Sequence, residues 1–406
     1  MARRTPPAGL IDSEPRLEMA RLRDYRLARV QAELARRDLA AILLYDPINI
    51  RYATGARNMT LWTMHNAVRY AFVPAEGRAI LFEFARCEHL ARGLETIAEV
   101  RPATAWYYPA AGARMAERAR RWAAEIADLV GACGGGRLAV DGVNPAGFQA
   151  LEGAHVEVVE GQAVMEHARA VKSADEIACM SVAVTVAETG MARMAAALAP
   201  GITENALWAI LHETNIRLGG EWIETRLLAS GGRTNPWYQE ACERMIRVGE
   251  LVAFDTDLIG PFGYCADISR TFFCGPGAPS EAQRRLYRTA YAQIAHNCAL
   301  LAPGMRFREF AEKSWRIPDE FVAQRYSCLA HGVGMCDEWP VIVAREDEDR
   351  DGGYDGVIEP GMVLCVESYV GAEGGIEGVK LEEQVLITET GTERLSTYPF
   401  EGALLA

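Results

Sequence analysis

Three segments in the second half of the chain place acidic residues and a histidine where strands or turns are predicted. They read LVAFDTDLIGPFGYCADISRTFF, AHGVGMCDEWPVI, and MVLCVESYVG followed by GVKLEEQVLIT. Apolar runs precede or flank the acids, which is typical of strands that are at least partly buried. The candidate residues are Asp255, Asp257, Asp267, His331, Glu367 and Glu382.

Carboxylates in such surroundings are costly unless another charge or a metal ion compensates them. Five carboxylates and one imidazole form a hard, oxygen-rich ligand set, which suits two divalent ions such as iron, manganese or cobalt, with zinc as a further option. The five negative charges nearly balance two such ions. Asp255 and Asp257 stand two residues apart at the end of an apolar strand, and the strand period of two predicts that both point to one face.

Each of these residues also has an ordinary structural interpretation. An aspartate at a strand end is usually a cap or a turn residue, and a histidine beside glycines is usually a structural hydrogen-bond donor. Glu382 and the adjacent Glu383 could form a solvated face. The metal site is therefore a hypothesis about the whole set of residues rather than about any single one.

The composition argues against several partners and compartments. The 406 residues carry a net charge of −13, which disfavours nucleic acid and anionic membranes as partners. No run of about 18 apolar residues occurs, so no transmembrane helix is expected. The N-terminal MARRTPPAGLIDSEPR lacks the apolar core of a secretory signal and is predicted to be a flexible or dimer-wrapping arm. Ten scattered cysteines without a CxxC pair indicate reduced thiols and a cytoplasmic protein.

The predicted helices and strands that must position the candidate residues change in order and length near Glu166. Hydrophobic periodicity predicts an α/β (α+β) fold of two domains, residues 1–165 and residues 166–406. In the first domain, helices are predicted over residues 17–37 and 111–130, strands over 39–46, 136–142 and 154–161, and a hairpin over 67–84. In the second, one long helical pattern over residues 168–198 precedes helices over 204–218 and 280–302 and strands over 362–388.

The order Asp…Asp…His…Glu…Glu, with DISRTF, AHGVG and GVKLEEQVLIT around it, resembles the pita-bread superfamily. That superfamily includes methionine and Xaa-Pro aminopeptidases, prolidase and creatinase. The resemblance covers the whole chain and implies a creatinase-like N-terminal domain followed by a pita-bread catalytic domain. It also implies that Asp267 and Glu382 bridge two metal ions, that His331 and Glu367 complete one ion, and that Asp255 completes the other.

Three departures from the peptidases bear on the reaction. Asp257 stands where the peptidases normally have a glycine, and CDEWP lacks the histidine that they carry just before Glu and Pro. A further substrate-contacting histidine is absent from SGGRTNPWYQEA, which offers Trp237 and Tyr238 instead. Hydrolysis of a peptide or of creatine, for which the superfamily depends on these histidines, is therefore disfavoured.

This combination is similar to the dimethylsulfoniopropionate lyase branch of the superfamily, the DddP type. The resemblance implies that Asp257 is an additional metal ligand, that Asp337 is the catalytic base, and that Tyr326 lies at the substrate. The implied reaction is a β-elimination that gives dimethyl sulfide and acrylate. Iron is predicted as the metal, with manganese, cobalt, zinc and nickel as alternatives.

The implied substrate is a small zwitterion with a carboxylate at one end and a sulfonium cation at the other. A dinuclear centre can hold the carboxylate and acidify the neighbouring C–H group, and a carboxylate base then removes the proton. Aromatic faces attract a desolvated cation by up to ~2 kcal/mol. The candidate aromatic residues, each of which could instead be core packing, are Tyr326, Trp339, Trp237, Tyr238 and Trp62.

Two other functions stay open on the sequence alone. The first is a hydrolase of the same fold that acts on an Xaa-Pro dipeptide or on a cyclic amidine such as ectoine. The second is a binding module without activity, which is disfavoured because such proteins typically lose the ligand acids that this chain keeps. A homodimer through the N-terminal domain is predicted, and His65 and Arg69 are considered for a neighbouring subunit's site.

Overall fold

The computed structural model describes residues 17–406, and the predicted N-terminal arm lies outside these residues. The chain divides into two compact units. The N-terminal unit comprises Met19–Arg169, and the C-terminal unit includes Ala170–Ala406. Both contain helices and strands, which confirms the predicted α/β fold class.

Seven helices and six strands make up the N-terminal unit within the described residues. The helices are α1 (Met19–Arg36), α2 (Pro47–Thr54), α3 (Thr60–His65), α4 (Tyr108–Ala111), α5 (Met115–Ala132), α6 (Pro145–Gly153) and α7 (Gln162–Ala170). The strands are β1 (Ala41–Leu44), β2 (Tyr70–Pro74), β3 (Ala79–Glu83), β4 (Ile97–Pro102), β5 (Leu138–Val140) and β6 (Val158–Glu160).

The six strands form one mixed sheet in the order β4–β3–β2–β1–β5–β6. The predicted hairpin is the antiparallel pair β2–β3, and β1 pairs antiparallel with β2 and parallel with β5. Aromatic residues fill the core of this unit, where the rings of Trp106 and Trp122 lie 4.9 Å apart and both side chains are buried. The helices and strands predicted for this half are confirmed.

The C-terminal unit contains six helices and eleven strands within the described residues. The helices are α8 (Ala174–Ala197), α9 (Glu204–Arg217), α10 (Glu281–Leu300), α11 (Phe307–Lys313), α12 (Glu348–Asp351) and α13 (Gly402–Leu405). The strands are β7 (Trp222–Ile223), β8 (Leu228–Ser230), β9 (Leu251–Phe254), β10 (Leu258–Ile259), β11 (Cys265–Ala266), β12 (Arg270–Phe273), β13 (Cys328–Val333), β14 (Asp337–Val343), β15 (Val363–Gly371), β16 (Gly378–Ile387) and β17 (Thr392–Arg394).

A five-stranded antiparallel sheet in the order β14–β13–β15–β16–β17 forms the centre of this unit. Two smaller antiparallel sheets, β12–β9–β8 and β11–β10–β7, complete it. Every residue of β15 is buried, because β13 and β16 flank the strand and α10 packs against it. Acidic side chains on such a strand are therefore held away from water.

The long helical pattern predicted over residues 168–198 is two helices, so that prediction is wrong on this point. α7 ends at Ala170, and α8 begins after Ser173. The Ser173 hydroxyl accepts a hydrogen bond from the backbone N–H of Glu176, whose carboxylate accepts one from the N–H of Ser173. This reciprocal capping starts a new helix, and its Ser-x-x-Glu pattern is visible in the sequence.

Helix α8 is long and apolar enough to cross a membrane when judged by length and composition alone. Half of its most apolar window is buried inside the C-terminal unit, where it packs against α9 and β11. Its buried face also includes Asp175 and Glu176. These are the contacts of a core helix, a class of helix that passes the same test.

Adjacent acids on β16 have separate environments. Glu382 and Glu383 are both buried, so their interpretation as a solvated face is wrong. Glu383 Oε1 accepts a hydrogen bond from Arg270 Nη2 at 2.5 Å, and Arg270 Nη1 donates to the Glu382 carbonyl at 2.7 Å. The Arg270 guanidinium also lies 4.3 Å from the Phe400 ring centroid. The pair joins β12 to β16 beside Glu382.

Arg270→Met should lower the free energy of unfolding of the C-terminal unit by about 3–5 kcal/mol, because Glu383 would stay buried without its ion-pair partner. Urea unfolding followed by tryptophan fluorescence measures the loss. Arg193→Met is the control, because the side chains of the Arg193–Glu213 pair are 42% and 44% exposed. The control should lose at most about 1 kcal/mol, and equal losses in both variants would contradict this role of Arg270.

Candidate metal centre

The six predicted ligands converge in the C-terminal unit. Their ligand atoms, together with the sulfur of Cys365, which was not among the predicted ligands, fall into three groups, and within each group all the atoms lie within 4.8 Å of one another. The groups are Asp267–His331–Cys365–Glu382, Asp255–Asp257–Asp267 and Asp255–Glu367–Glu382. Asp255, Asp267 and Glu382 each belong to two groups, so the three groups form one continuous cluster, called here the centre.

Strands of the central sheet supply three of these residues. His331 lies in β13, while Glu367 and Glu382 face each other directly across the β15–β16 pair. Glu367 lies inside β15, within the range of residues 362–388 for which strands are predicted. Like charges directly opposite each other destabilise a sheet, so this pair requires a cation nearby.

Connections between strands supply the three aspartates. Asp255 and Asp257 lie between β9 and β10, and Asp267 lies between β11 and β12. The predicted period of two for Asp255 and Asp257 is wrong, because Asp257 has a φ of 36°, outside the extended region. The two carboxylates still meet Asp267, and Asp257 Oδ2 accepts a hydrogen bond from Thr225 Oγ1 at 2.5 Å.

The charges of the centre are strongly coupled, because all five carboxylates are at most 6% exposed. Burial, and then neighbouring negative charge, raises the pKa of Asp257 and Asp267 well above the usual value and that of Asp255 to about 7. Burial alone would lower the pKa of His331, but nearby carboxylates, led by Asp337, hold it well above its usual value. The cluster is therefore short of positive charge.

Three oxygens of the centre have no hydrogen-bond partner within residues 17–406: Asp255 Oδ1, Asp267 Oδ1 and Glu382 Oε1. Buried polar atoms normally have partners, and those without one need an explanation. The three oxygens belong to the residues shared between the ligand groups. Hard carboxylate oxygens are suitable ligands for divalent ions, so the donor set fits the metals that the sequence predicts.

Lys380 is not among the residues predicted from the sequence, but its ammonium contacts three of these carboxylates. Nζ lies 2.5 Å from Glu367 Oε2, 3.0 Å from Asp255 Oδ2 and 3.2 Å from Glu382 Oε2. Lys380 stands two residues before Glu382 in β16, so both point to one face. Only three of the 42 lysines and arginines are lysines. This scarcity is the feature of the sequence that could have drawn attention to Lys380.

Asp337 differs from the other acids of the region because its side chain is 57% exposed. It begins β14, and its Oδ1 lies 3.9 Å from His331 Nδ1. Partial burial raises the pKa of Asp337 above its usual value, although the charge on His331 opposes this shift. Asp337 is therefore an accessible carboxylate beside a buried acidic cluster.

Two of the predicted aromatic residues, Tyr326 and Trp237, lie beside the centre, and a third, Tyr238, contacts Tyr326. Lys380 Nζ lies 5.7 Å from the Tyr326 ring centroid and 6.0 Å from that of Trp237. Trp237 is buried and stacks against Tyr369 with centroids 6.0 Å apart. Tyr238 is 62% exposed and meets Tyr326 edge-on at 5.8 Å.

The other two aromatic residues have different surroundings. The ring centroid of Trp339 lies 5.4 Å from that of Phe307 and 6.4 Å from that of Tyr354, and the ring packs against the hydrophobic core. Core packing was the alternative to substrate contact that the sequence left open for this residue. Trp62 belongs to α3 of the N-terminal unit, is 44% exposed, and lies 5.8 Å from the Phe84 ring.

Two family profiles match the chain. Residues 26–171 match the creatinase/prolidase N-terminal domain, and residues 178–389 match metallopeptidase family M24. The second match contains all six predicted metal ligands. It supports a metal-dependent centre at the position where the carboxylates converge.

Solved structures share this fold. An Xaa-Pro dipeptidase from Bacillus anthracis superposes with a TM-score of 0.75 and 21% identity, covering 93% of this chain and 98% of that one. The prolidase from Pyrococcus horikoshii OT3 gives a TM-score of 0.73 and 22% identity, covering 93% and 99%. These matches confirm the predicted creatinase-like and pita-bread architecture, and at such identities they bear on the fold alone.

Two lyases are more similar in sequence. Dimethylsulfoniopropionate lyase DddP of Roseovarius nubinhibens is 44% identical over 395 residues, which are 96% of this chain and 88% of the relative. DddP of Roseobacter denitrificans is 40% identical with the same coverage. The chain therefore belongs to metallopeptidase family M24 and, within it, to the family of dimethylsulfoniopropionate lyase DddP.

Proposed function

We propose that the protein is a metal-dependent carbon–sulfur lyase that converts dimethylsulfoniopropionate to dimethyl sulfide and acrylate. The observation that carries this proposal is the accessible carboxylate of Asp337 beside five buried carboxylates. The buried acids suit metal binding, and the exposed one suits proton transfer to and from a bound molecule. The identity with two relatives named as lyases of this compound supports the choice of substrate.

The proposed reaction is a β-elimination that consumes no water. Asp337 removes a proton from the carbon next to the substrate carboxylate, and the electron pair released forms the double bond of acrylate. The C–S bond breaks, and dimethyl sulfide leaves with the electrons of that bond. A raised pKa makes Asp337 a stronger base than an ordinary aspartate, which favours this proton transfer.

The centre would hold the metals that this chemistry requires. Two bound divalent ions supply Lewis acidity, which polarises the substrate carboxylate and acidifies the neighbouring C–H group. We propose iron, with manganese, cobalt, zinc and nickel as ions that the same donors accept. The proposed ligands are Asp255, Asp257, Asp267, His331, Glu367 and Glu382.

Tyr326, Trp237 and Tyr238 are the proposed contacts of the sulfonium group. Two of these rings already border the ammonium of Lys380, so their faces tolerate a cation. Burial and the charge of Glu367 raise the pKa of Tyr326 far above its usual value, so its hydroxyl keeps its proton. Trp339 and Trp62 stay predictions as substrate contacts.

The proposed protein is a cytoplasmic homodimer. All ten cysteines lie in the described part of the chain and none of them forms a disulfide bond there, which supports a reducing compartment. Exposed apolar side chains on and next to α3 support dimerisation through the N-terminal unit. These side chains are Met59, Leu61, Trp62 and Met64.

Arg69 does not reach out to a neighbouring subunit, and that prediction is wrong. Its side chain is 1% exposed, and its Nε lies 2.7 Å from Glu83 Oε2 within the same unit. His65 stays a prediction for a contact between subunits. The unit boundary at Arg169 supports the proposed division of the chain near residue 165.

A buried ion pair holds the residue next to Asp337. Glu338 Oε2 lies 3.0 Å from Lys172 Nζ, and the two side chains are 1% and 2% exposed. Glu338 Oε1 accepts a hydrogen bond from the Met335 N–H at 3.1 Å. A Cβ atom on Gly334 would lie 2.4 Å from Glu338 Oε1, so only glycine fits there without a shift. These contacts fix the turn that leads into β14 and thereby position Asp337.

Asp337→Ala should lower kcat for dimethyl sulfide release by about 10²–10⁴-fold with the metal content unchanged, because it removes the base and none of the proposed ligands. Headspace gas chromatography measures the gas, and mass spectrometry measures the metal. Asp319→Ala, at a side chain 89% exposed, should keep wild-type activity. Release of proline from a dipeptide or of a ring-opened product from ectoine, without dimethyl sulfide, would instead favour a hydrolase.

Asp267→Asn should reduce the bound metal from two ions to one or none per chain after dialysis. Asp267 belongs to two ligand groups, and an amide carries no charge to hold a cation. Mass spectrometry counts the ions, with Asp319→Asn as the exposed control. Wild-type protein that binds no ions would contradict the metal centre and favour an inactive binding module.

Glu338→Gln should lower kcat by at least about tenfold without changing the metal content, because it leaves Lys172 buried without a counter-charge and loosens the turn before Asp337. Steady-state kinetics measure the change. The double variant Lys172→Met with Glu338→Gln removes the uncompensated charge and should recover part of the rate. An unchanged kcat in Glu338→Gln would refute the positioning role.

A further inference from the structure

The carboxylates around Lys380 each have one oxygen that faces its ammonium and another that does not. Asp255 Oδ2, Glu367 Oε2 and Glu382 Oε2 lie within 3.2 Å of Nζ. Of the remaining oxygens, Glu367 Oε1 and Glu382 Oε1 each lie 3.6 Å from His331 Nε2. Asp255 Oδ1 and Glu382 Oε1 have no hydrogen-bond partner within residues 17–406. Lys380 therefore leaves each carboxylate an oxygen for another cation.

The charge of Lys380 acts on these carboxylates with little screening. Its side chain is 1% exposed, and the rings of Tyr326 and Trp237 border the ammonium. In the described part of the chain, it is the only lysine or arginine that forms an ion pair with the five carboxylates of the centre. Charges at such distances and in such burial interact far more strongly than they do in water.

The charges of the carboxylates and of two divalent ions do not balance without one further positive charge. Five carboxylates carry five negative charges, and two divalent ions carry four positive charges, so one negative charge is left over. Glu383 does not contribute to this excess, because Arg270 neutralises it. Asp337 is not one of the proposed ligands, and its side chain is 57% exposed, so water solvates its charge. The ammonium of Lys380 cancels the remaining charge.

We infer that Lys380 makes the centre selective for two divalent ions, by supplying the positive charge that a trivalent ion would otherwise bring. This inference rests on the metal centre of the proposed function, but not on its reaction. Without Lys380, one divalent ion and one trivalent ion would balance the five carboxylates. Lys380 acts on the metals through the carboxylates, and it is a positioning and charge-balancing residue.

A lysine at position 380 suits the arrangement of the acceptors around its ammonium better than an arginine would. An ammonium is a compact point charge with three donors on a flexible stem, whereas a guanidinium is a planar fork. Nζ contacts three carboxylates and also donates to Ser269 Oγ at 2.7 Å, so the acceptors surround a point. The chain uses arginine at almost every other basic position, so lysine here is an exception in its composition.

Competition between Zn²⁺ and Ga³⁺, both buffered with citrate, tests the inference. Metal-free protein is dialysed against the mixture, and mass spectrometry gives the ratio of bound gallium to bound zinc. In Lys380→Gln this ratio should rise at least about tenfold over wild type, because an unbalanced charge nearby favours the trivalent ion. Ser269→Ala, which removes a neutral contact of the same ammonium and of Glu382, should keep the wild-type ratio.

A second variant keeps the test decisive if Lys380→Gln folds poorly. Glu367→Gln removes a proposed ligand and should lower the total bound metal, but it takes away a negative charge instead of a positive one. The ratio of gallium to zinc among the ions still bound should therefore fall below that of wild type. Combining the two substitutions restores the net charge and should bring the ratio back towards wild type. An unchanged ratio in Lys380→Gln, or a ratio that rises in Glu367→Gln, would overturn the inference. No substrate is used, so a failure of the proposed lyase reaction would not affect the result.

Discussion

Negative charge confined in a small buried volume is the constraint on which the C-terminal unit depends. Five carboxylates converge from two strands and two connections, and all are at most 6% exposed. Glu367 and Glu382 even face each other across adjacent strands, an arrangement that is unfavourable without a cation. The surrounding residues compensate this charge in two ways: Lys380 lies inside the cluster, and Arg270 pairs with the adjacent Glu383. Some carboxylate oxygens stay available for metal ions.

The same constraint separates the proposed metal ligands from the proposed base. The acids that would hold metals lie in or next to strands whose neighbours leave little freedom to move. Asp337 lies instead at the first residue of β14, after a turn, and is open to solvent. Its position depends on the adjacent Glu338, which is tied to Lys172. A turn can thus change the chemistry of a shared fold while the metal-binding framework stays in place, in agreement with a chain that has prolidase architecture and lyase relatives.

Much of the fold and of the ligand set could be predicted from the sequence, because both leave local patterns. Apolar runs indicated the buried strands, and acids beside those runs indicated where charge would need compensation. The turn at Asp257 could not be predicted, because its positive φ depends on contacts with residues far away in sequence. The environments of Glu382 and Glu383 could not be predicted either, since only the packing of β12 against β16 shows that Arg270 reaches Glu383. The packing of Trp339 could not be predicted for the same reason, because its partners Phe307 and Tyr354 come from separate segments of the chain.

The most direct test of the charge constraint is a crystal structure of the protein loaded with Mn²⁺, with anomalous scattering used to locate the ions. We expect two anomalous peaks between the carboxylates, with Asp267 and Glu382 contacting both ions and Lys380 Nζ still bonded to Glu367 Oε2. A single peak, or a peak that displaces the ammonium of Lys380, would contradict the balance of five carboxylates by two divalent ions and one lysine.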